Sequence, residues 1–206
     1  MALKSFRSIL IISFIITLLP AMIPSGSAHA MADPYDRAGL SSLDVFVTQV
    51  KNGQADELRG VFIQDILVAP IVQQPIGRPD YVSNRPNVVT QFSLAARFGS
   101  IGLLAHNDLA GRSFNLLQTG QKIHLVYGDG QVSTFIVSDV LQYQALEPEN
   151  TTSSFIDPAN NIFLTSSELF LKVYDRPGQV VFQTCIQAGD KTSWGRLFVV
   201  AEPQSQ

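Results

Sequence analysis

Three residues of this chain have side chains that could together carry out acyl transfer: His106, Cys185 and Arg196. A cysteine becomes a useful nucleophile when a base or a cation lies beside it, and histidine is the usual partner. Arginine can hold a developing oxyanion without losing its charge. Each of the three residues borders an apolar run, so we expect each to lie at the end of a strand. Because 79 residues separate His106 from Cys185, only the fold can bring them together.

Cys185 is the only cysteine of the chain, and it leaves two interpretations open. A lone cysteine is often a small buried hydrophobic residue without a chemical role. It can also be a reactive thiol that has no cysteine partner to consume it in a disulfide. Thr184, directly before it, could order the thiol or be an ordinary strand threonine. The residue types alone do not decide, because such sites are recognised by geometry.

The N-terminus has the features of an export signal. Lys4 and Arg7 give a positive start, residues 9–19 form an apolar run too short to span a bilayer comfortably, and Ala28-His29-Ala30 offers a cleavage site. We therefore predict a secretory signal peptide over residues 1–30 that is cleaved after Ala30. The alternative is an uncleaved membrane anchor. Either way the domain would be exported and be extracellular or on the cell surface.

Composition and charge narrow the class of protein. Of the 206 residues, 46% are hydrophobic and only 15% are charged, which argues against disorder. The formal net charge is −3, and no basic cluster stands out, so we expect no nucleic-acid binding. No second apolar stretch approaches transmembrane length. Membrane contact is therefore expected only through an uncleaved N-terminus.

The rest of the sequence predicts one mostly β domain with short helices in the connections. Residues 31–59 are interpreted as a polar lead-in with a first strand at 44–51, and residues 60–202 as the main body of the domain. Further strands are predicted at 60–72, 100–105, 122–127, 132–137, 140–144, 180–184 and 197–201, short helices at 90–98, 111–117 and 166–174, and a loop at 147–161. Many short strands with turn signals between them indicate a closed or nearly closed β-barrel.

Three separated segments combine a polar residue with an apolar flank: Leu103 to Asn107, Gly120 to Leu125, and Phe182 to Cys185 followed by Arg196 and an apolar strand. Together they resemble the sortase family. The order of histidine, cysteine and arginine and both connecting lengths fit that family, and the resemblance covers residues 60–202. Two positions depart from the pattern: Val181-Phe182 replaces a Thr-Leu pair, and Gln121 stands where the family has an acid.

The resemblance implies a sortase-like closed β-barrel of about eight strands and a cysteine transpeptidase activity. Cys185 would form a thioacyl intermediate with a peptide sorting signal of a surface protein, His106 would transfer protons, and Arg196 would bind the oxyanion or the peptide backbone. An amine acceptor from the cell wall or from a pilin-like protein would then take the acyl group. No cofactor and no metal are implied.

Three other interpretations compete with this one. The chain could be a non-catalytic secreted β-barrel that binds a peptide or glycan, because a fold does not by itself imply a function. It could be a cysteine peptidase, a thiol protease that uses water as the acceptor. A zinc site made of His106, His124 and Cys185 is also conceivable, but it lacks a fourth ligand and closely spaced pairs. His124 itself is predicted to face the solvent, because it alternates with apolar residues along its strand.

Overall fold

The computed structural model describes residues 42–205. The predicted export signal at 1–30 and the lead-in up to residue 41 therefore lie outside the described residues. Within residues 42–205, no helix combines the length and the apolar character needed to cross a lipid bilayer.

Ten strands make up one continuous sheet. Their bounds are β1 (Leu58–Ile63), β2 (Leu67–Gln73), β3 (Val89–Phe92), β4 (Ile101–Leu104), β5 (Lys122–Tyr127), β6 (Val132–Ala145), β7 (Phe155–Asp157), β8 (Ile162–Leu164), β9 (Val180–Ala188) and β10 (Lys191–Pro203). Hydrogen-bonded neighbours follow the order β10-β9-β4-β3-β2-β1-β5-β6, and β6 also pairs with β10. Eight strands thus close into a barrel, as predicted. The strands β7 and β8 continue from β6 as a short extension outside the ring.

Two apolar layers lie on opposite faces of the strands that carry the candidate residues. On β9, Val180 and Phe182 point into the barrel core, whereas Val181 belongs to a second cluster on the outer face. On β10, Leu197 is in the core and Phe198 is in the outer cluster. Strands buried on both faces are apolar at successive positions rather than at alternate ones, which explains the uninterrupted apolar runs of the sequence.

Short helices cover the barrel. They are α1 (Leu43–Val50), α2 (Ser93–Ala96) and α3 (Ser166–Tyr174), with a 3₁₀ helix at Ala110–Leu116. α3 begins with a reciprocal capping box between Thr165 and Glu168 and buries its apolar side in the outer cluster. The 3₁₀ helix places Phe114 in the barrel core, where its ring stands edge-on to Phe182 at 5.0 Å between centroids. This helix therefore contributes an aromatic side chain to the barrel core.

The predicted first strand at 44–51 is wrong, because this segment is the helix α1. Val45, Phe46 and Val47 suggested a strand through their β-branched and aromatic side chains. Phe46 and Val50 lie one helical turn apart, and both pack on the outside of the barrel against Phe62 of β1. Packing of this apolar helix face outweighs the local strand preference.

Several boundaries also differ from the prediction. Residues 60–72 form two strands separated by a turn in which Asp65 has a φ of 60°. Residues 90–98 divide into the end of β3 and α2, and the two strands predicted at 132–137 and 140–144 are one strand, β6. The loop predicted at 147–161 contains the short strand β7.

Candidate functional site

Cys185 and Arg196 are direct partners in the β9–β10 ladder. Side chains of directly opposed residues in an antiparallel pair share one face, with Cβ atoms about 5 Å apart. The neighbouring Thr184 is buried, and its ladder partner Leu197 lies in the barrel core. Because side chains alternate along a strand, Cys185 and Arg196 lie together on the outer face. Both are half-buried.

The expectation that these two residues end or begin a strand is wrong. β9 continues to Ala188 and β10 already starts at Lys191, so both residues lie inside a hairpin. Residues 186–194 pair through backbone groups with a register shift near the tip, and most of their side chains are partly or fully exposed. Backbone pairing needs no apolar run, and the signal that sequence reasoning missed was Gly189-Asp190, a pair typical of a two-residue hairpin turn, in which Gly189 has a φ of 56°.

His106 lies beyond the end of β4, next to β9. The last ladder pair of these parallel strands is Leu104 with Gln183, and the N–H of Ala105 still donates to the carbonyl oxygen of Gln183 at 3.3 Å. Two residues beyond this last pair on each chain, continuing the register leads to His106 and Cys185. Ala105 belongs to the barrel core, whereas His106 is exposed. The fold therefore brings the backbones of the three predicted residues together on adjacent strands, in the order His106, Cys185, Arg196.

The guanidinium of Arg196 is held by three backbone carbonyls. Nη1 donates to Ser193 at 3.2 Å and to Gly195 at 3.0 Å, and Nη2 donates to Pro148 at 3.3 Å. A guanidinium carries five N–H donors, so at least two donors of Arg196 remain for a ligand. Pro148 belongs to the β6–β7 loop, which therefore contributes directly to the orientation of this cation.

A pocket opens on the same outer face, and we call it the α3 pocket. Residues of β9, β10, the helix α3 and the β6–β7 loop contribute to its lining. Its lining residues are Phe92, Thr151, Phe155, Ser166, Leu169, Phe170, Val173, Tyr174, Gln183, Arg196 and Phe198. The lining is mostly aromatic and aliphatic with a few polar groups, which is the usual composition of a ligand pocket.

Sequence reasoning missed the contribution of Gln183 and Tyr174 to this pocket. Gln183 is two residues before Cys185, so it shares the outer face with the thiol. Its Oε1 accepts a 2.6 Å hydrogen bond from the hydroxyl of Tyr174 in α3. Burial raises the pKa of Tyr174 far above its usual value, so this hydroxyl stays a donor. The signal available in the sequence was the polar residue at 183 inside an apolar run.

His124 lies away from this group of residues. It is on β5, which is three strands from β9 around the barrel. The prediction that it faces the solvent is confirmed only in part: it lies on the outer face, but it is half-buried beside Phe62, and its Nδ1 is 3.0 Å from Oγ1 of Thr134. Burial, and secondly the charge of Lys122, lowers the pKa of His124. Within residues 42–205, no three His, Cys, Asp or Glu side chains are grouped as metal ligands.

Solved sortases from several species are similar in structure to this chain, whereas no protein-family model and no curated protein matches its sequence. Sortase A of Listeria monocytogenes has 13% identity over 73% of this chain and 89% of that chain, with a TM-score of 0.46. Sortase C-1 of Actinomyces oris has 15% identity over 81% and 83%, with a TM-score of 0.49. Sortase E1 of Streptomyces coelicolor, solved with a tripeptide in its active site, has 19% identity over 75% and 91%, with a TM-score of 0.44. Identities and TM-scores this low say nothing about the chemistry, so the case for a function rests on the site itself.

Proposed function

We propose that this chain is an exported, sortase-type cysteine transpeptidase. Cys185 is the nucleophile, His106 is the general acid and base, and Arg196 binds the oxyanion. The donor is a peptide sorting signal of a surface protein, and the acceptor is an amine of the cell wall or of a pilin-like protein.

The observation that carries this proposal is the ladder pairing of Cys185 with Arg196, a residue that lines the α3 pocket. A thiol and a guanidinium on opposed ladder positions can reach the same peptide carbonyl: the thiol attacks its carbon, and the guanidinium binds its oxygen. Continuing the β4–β9 register brings the backbone of His106 alongside. The α3 pocket gives an apolar residue of the donor a place next to Arg196.

In the acylation step the thiolate of Cys185, whose proton is held by His106, attacks the peptide carbonyl carbon, and the carbonyl oxygen becomes an oxyanion. Arg196 directs the donors that its three carbonyl contacts leave free toward this oxygen. The C–N bond then breaks, and protonated His106 gives its proton to the leaving amine. The products are a thioester on Cys185 and a free amine.

In the second step the acceptor amine attacks the thioester carbon, and neutral His106 takes the proton of the amine. The C–S bond breaks, the thiolate of Cys185 leaves, and a new amide is released. His106 ends protonated, as it was before acylation. The enzyme therefore returns to its initial state without a cofactor.

The proposal is tested with a library of peptides incubated with the purified chain, and intact mass spectrometry detects the covalent adduct. A thioester that forms on the wild type, is absent in Cys185→Ala, and passes to an added amine supports transpeptidation. A thioester that only water resolves would make the chain a cysteine peptidase. If no peptide acylates the wild type while peptides bind noncovalently, the chain is a binding module.

Export is tested separately in cells that produce the full chain. N-terminal sequencing of the exported protein should find a chain starting at Met31, because the A-x-A motif ends at Ala30. An intact N-terminus in the membrane fraction would identify residues 1–30 as an anchor. Protein that remains entirely in the cytosol would contradict export in either form.

A further inference from the structure

The backbone on the N-terminal side of His106 is tied to the strand that carries Cys185. The hydroxyl of Thr184 donates to the carbonyl oxygen of Ala105 at 2.9 Å, and both residues are buried, with exposed fractions of 3% and 5%. A threonine hydroxyl is usually free to find several partners, but here it lies inside the barrel, and its bond crosses from β9 to the end of β4. The residues next to His106 and next to Cys185 are thus joined directly.

The backbone on the C-terminal side of His106 is tied to the strand that carries Arg196. The side-chain amide Nδ2 of Asn107 donates to the carbonyl oxygen of Thr192 at 2.9 Å, and Thr192 lies on β10 close to the turn of the β9–β10 hairpin. This bond spans 85 residues of sequence and lies near the surface. The two residues flanking His106 are therefore attached to different strands of one hairpin.

The carbonyl oxygen of His106 is hydrogen-bonded by the turn that follows it in the chain. It accepts the N–H groups of Leu109 and Gly111, both at 3.0 Å. A Cβ atom on Gly111 would lie 2.6 Å from this carbonyl oxygen and 2.7 Å from that of Ala105. The turn after His106 is consequently packed too closely to rotate as a free loop.

We propose that Thr184 and Asn107 form a two-point clamp that holds His106 in register with Cys185 and Arg196. They are positioning residues and do not touch the substrate. The inference rests on the proposed function, in which His106 exchanges protons with the leaving and accepting amines beside Cys185. Fixing the backbone on both sides sets where the imidazole can reach, and small displacements of a catalytic group cost large factors in rate.

The first test replaces Thr184 by Val, which keeps the shape and removes the hydroxyl. The readout is the pH dependence of Cys185 alkylation by iodoacetamide, which needs no peptide and reports on the base beside the thiol. His106→Ala defines the profile expected when the histidine is lost. The alkylation profile of Thr184→Val should shift from that of the wild type toward that of His106→Ala. Thr184→Ser, which keeps the hydroxyl, should have the wild-type profile.

A matched control separates positioning from stability. Thr90 in β3 is also fully buried, and its hydroxyl accepts the N–H of Ser83 rather than holding the His106 segment. Thr90→Val should lower the melting temperature and leave the alkylation profile of the wild type unchanged. If Thr184→Val and Thr90→Val both change only the melting temperature, the clamp is overturned.

Asn107 gives a second variant that does not touch the core. Asn107→Ala should reduce kcat for transpeptidation at least tenfold with KM for the donor peptide and the melting temperature nearly unchanged. Wild-type kcat in this variant would overturn the role of Asn107. These failures are distinct from a failure of the proposed function, which would appear as a wild-type profile identical to that of His106→Ala or as a wild type that no peptide acylates.

Discussion

Cys185 and Arg196 are joined by the β9–β10 ladder as directly opposed residues, and their side chains leave the sheet on the same side. Nothing mobile separates them, because the ladder continues on both sides of the pair. The separation between the Cβ atoms of the two residues is therefore set by the ladder. The remaining freedom lies in the side-chain torsions, and three carbonyls limit those of Arg196.

Replacing Arg196 by Lys should lower transpeptidation by a factor of about 10² to 10³, because one ammonium cannot hold three carbonyls and also reach an oxyanion as a planar fork does. The unfolding free energy should fall by no more than about 1 kcal/mol, since lysine keeps the charge and some of the hydrogen bonding. Acyl-transfer rates and thermal midpoints measure the two effects. Arg59→Lys is the control, because Arg59 is also half-buried but lies on β1 beside Glu57. Full activity of Arg196→Lys would exclude the oxyanion role.

A large side chain in the α3 pocket should weaken binding of the donor peptide and leave the reactivity of the Cys185 thiol unchanged. Ser166 lines this pocket at the start of α3 as well as an adjacent groove, whereas its neighbour Ser167 lines only the groove. Ser166→Phe is expected to raise KM for the donor at least about tenfold by removing apolar contact area, with Cys185 alkylation at the wild-type rate. Ser167→Phe should leave KM as it is. Equal KM values for the two variants would show that the donor binds elsewhere.

Gly111→Ala should destabilise the protein by about 2 kcal/mol or more, because the added carbon would overlap two backbone carbonyls and the hydroxyl of Thr184. Gly178 offers a comparison in which only the backbone conformation is unfavourable: its φ is +79°, and no atom lies within 4 Å of the added carbon. Gly178→Ala should cost about 1 kcal/mol. Chemical denaturation measures both values. A smaller loss for Gly111→Ala than for Gly178→Ala would mean that the turn after His106 can yield.

His124 should make the fold less stable in acid. Its pKa is lowered in the folded state, so the unfolded chain binds a proton that the folded chain does not. The contribution is fully present above the unfolded value of about 6.5 and is lost as the pH falls through the lowered pKa. Melting temperatures at about pH 7.5 and about pH 5 should therefore differ less in His124→Gln than in the wild type.

Lys122→Gln should also reduce this difference, but only in part, because the charge of Lys122 is the second cause of the lowered pKa, after burial. If the melting temperature falls by the same amount between the two pH values in His124→Gln and in the wild type, His124 does not control the acid sensitivity.

The barrel class was predictable because its core strands are apolar at successive positions and are separated by turn residues. The helix α1 was not, because Val45, Phe46 and Val47 satisfy a strand and a helix equally until the outer face of β1 becomes available. The three candidate site residues could be named from their types and order. The hydrogen bonds that hold the backbone around His106 could not be predicted. The bonds from Asn107 to Thr192 and from Thr184 to Ala105 both end on backbone carbonyl oxygens, which every residue carries.

The ring of strands is completed by the last two elements of the chain. β9 joins β4, and β10 joins β6, through pairs that are far apart in sequence. Such non-local pairings form late in folding, and a chain leaving the ribosome presents its N-terminal part first. His106 therefore reaches its clamped position only when β9 and β10 join the barrel, because Thr184 and Thr192 lie on those strands. Barrel closure would act as the maturation step, so that an unfinished or truncated chain needs no separate inhibitor to stay inactive.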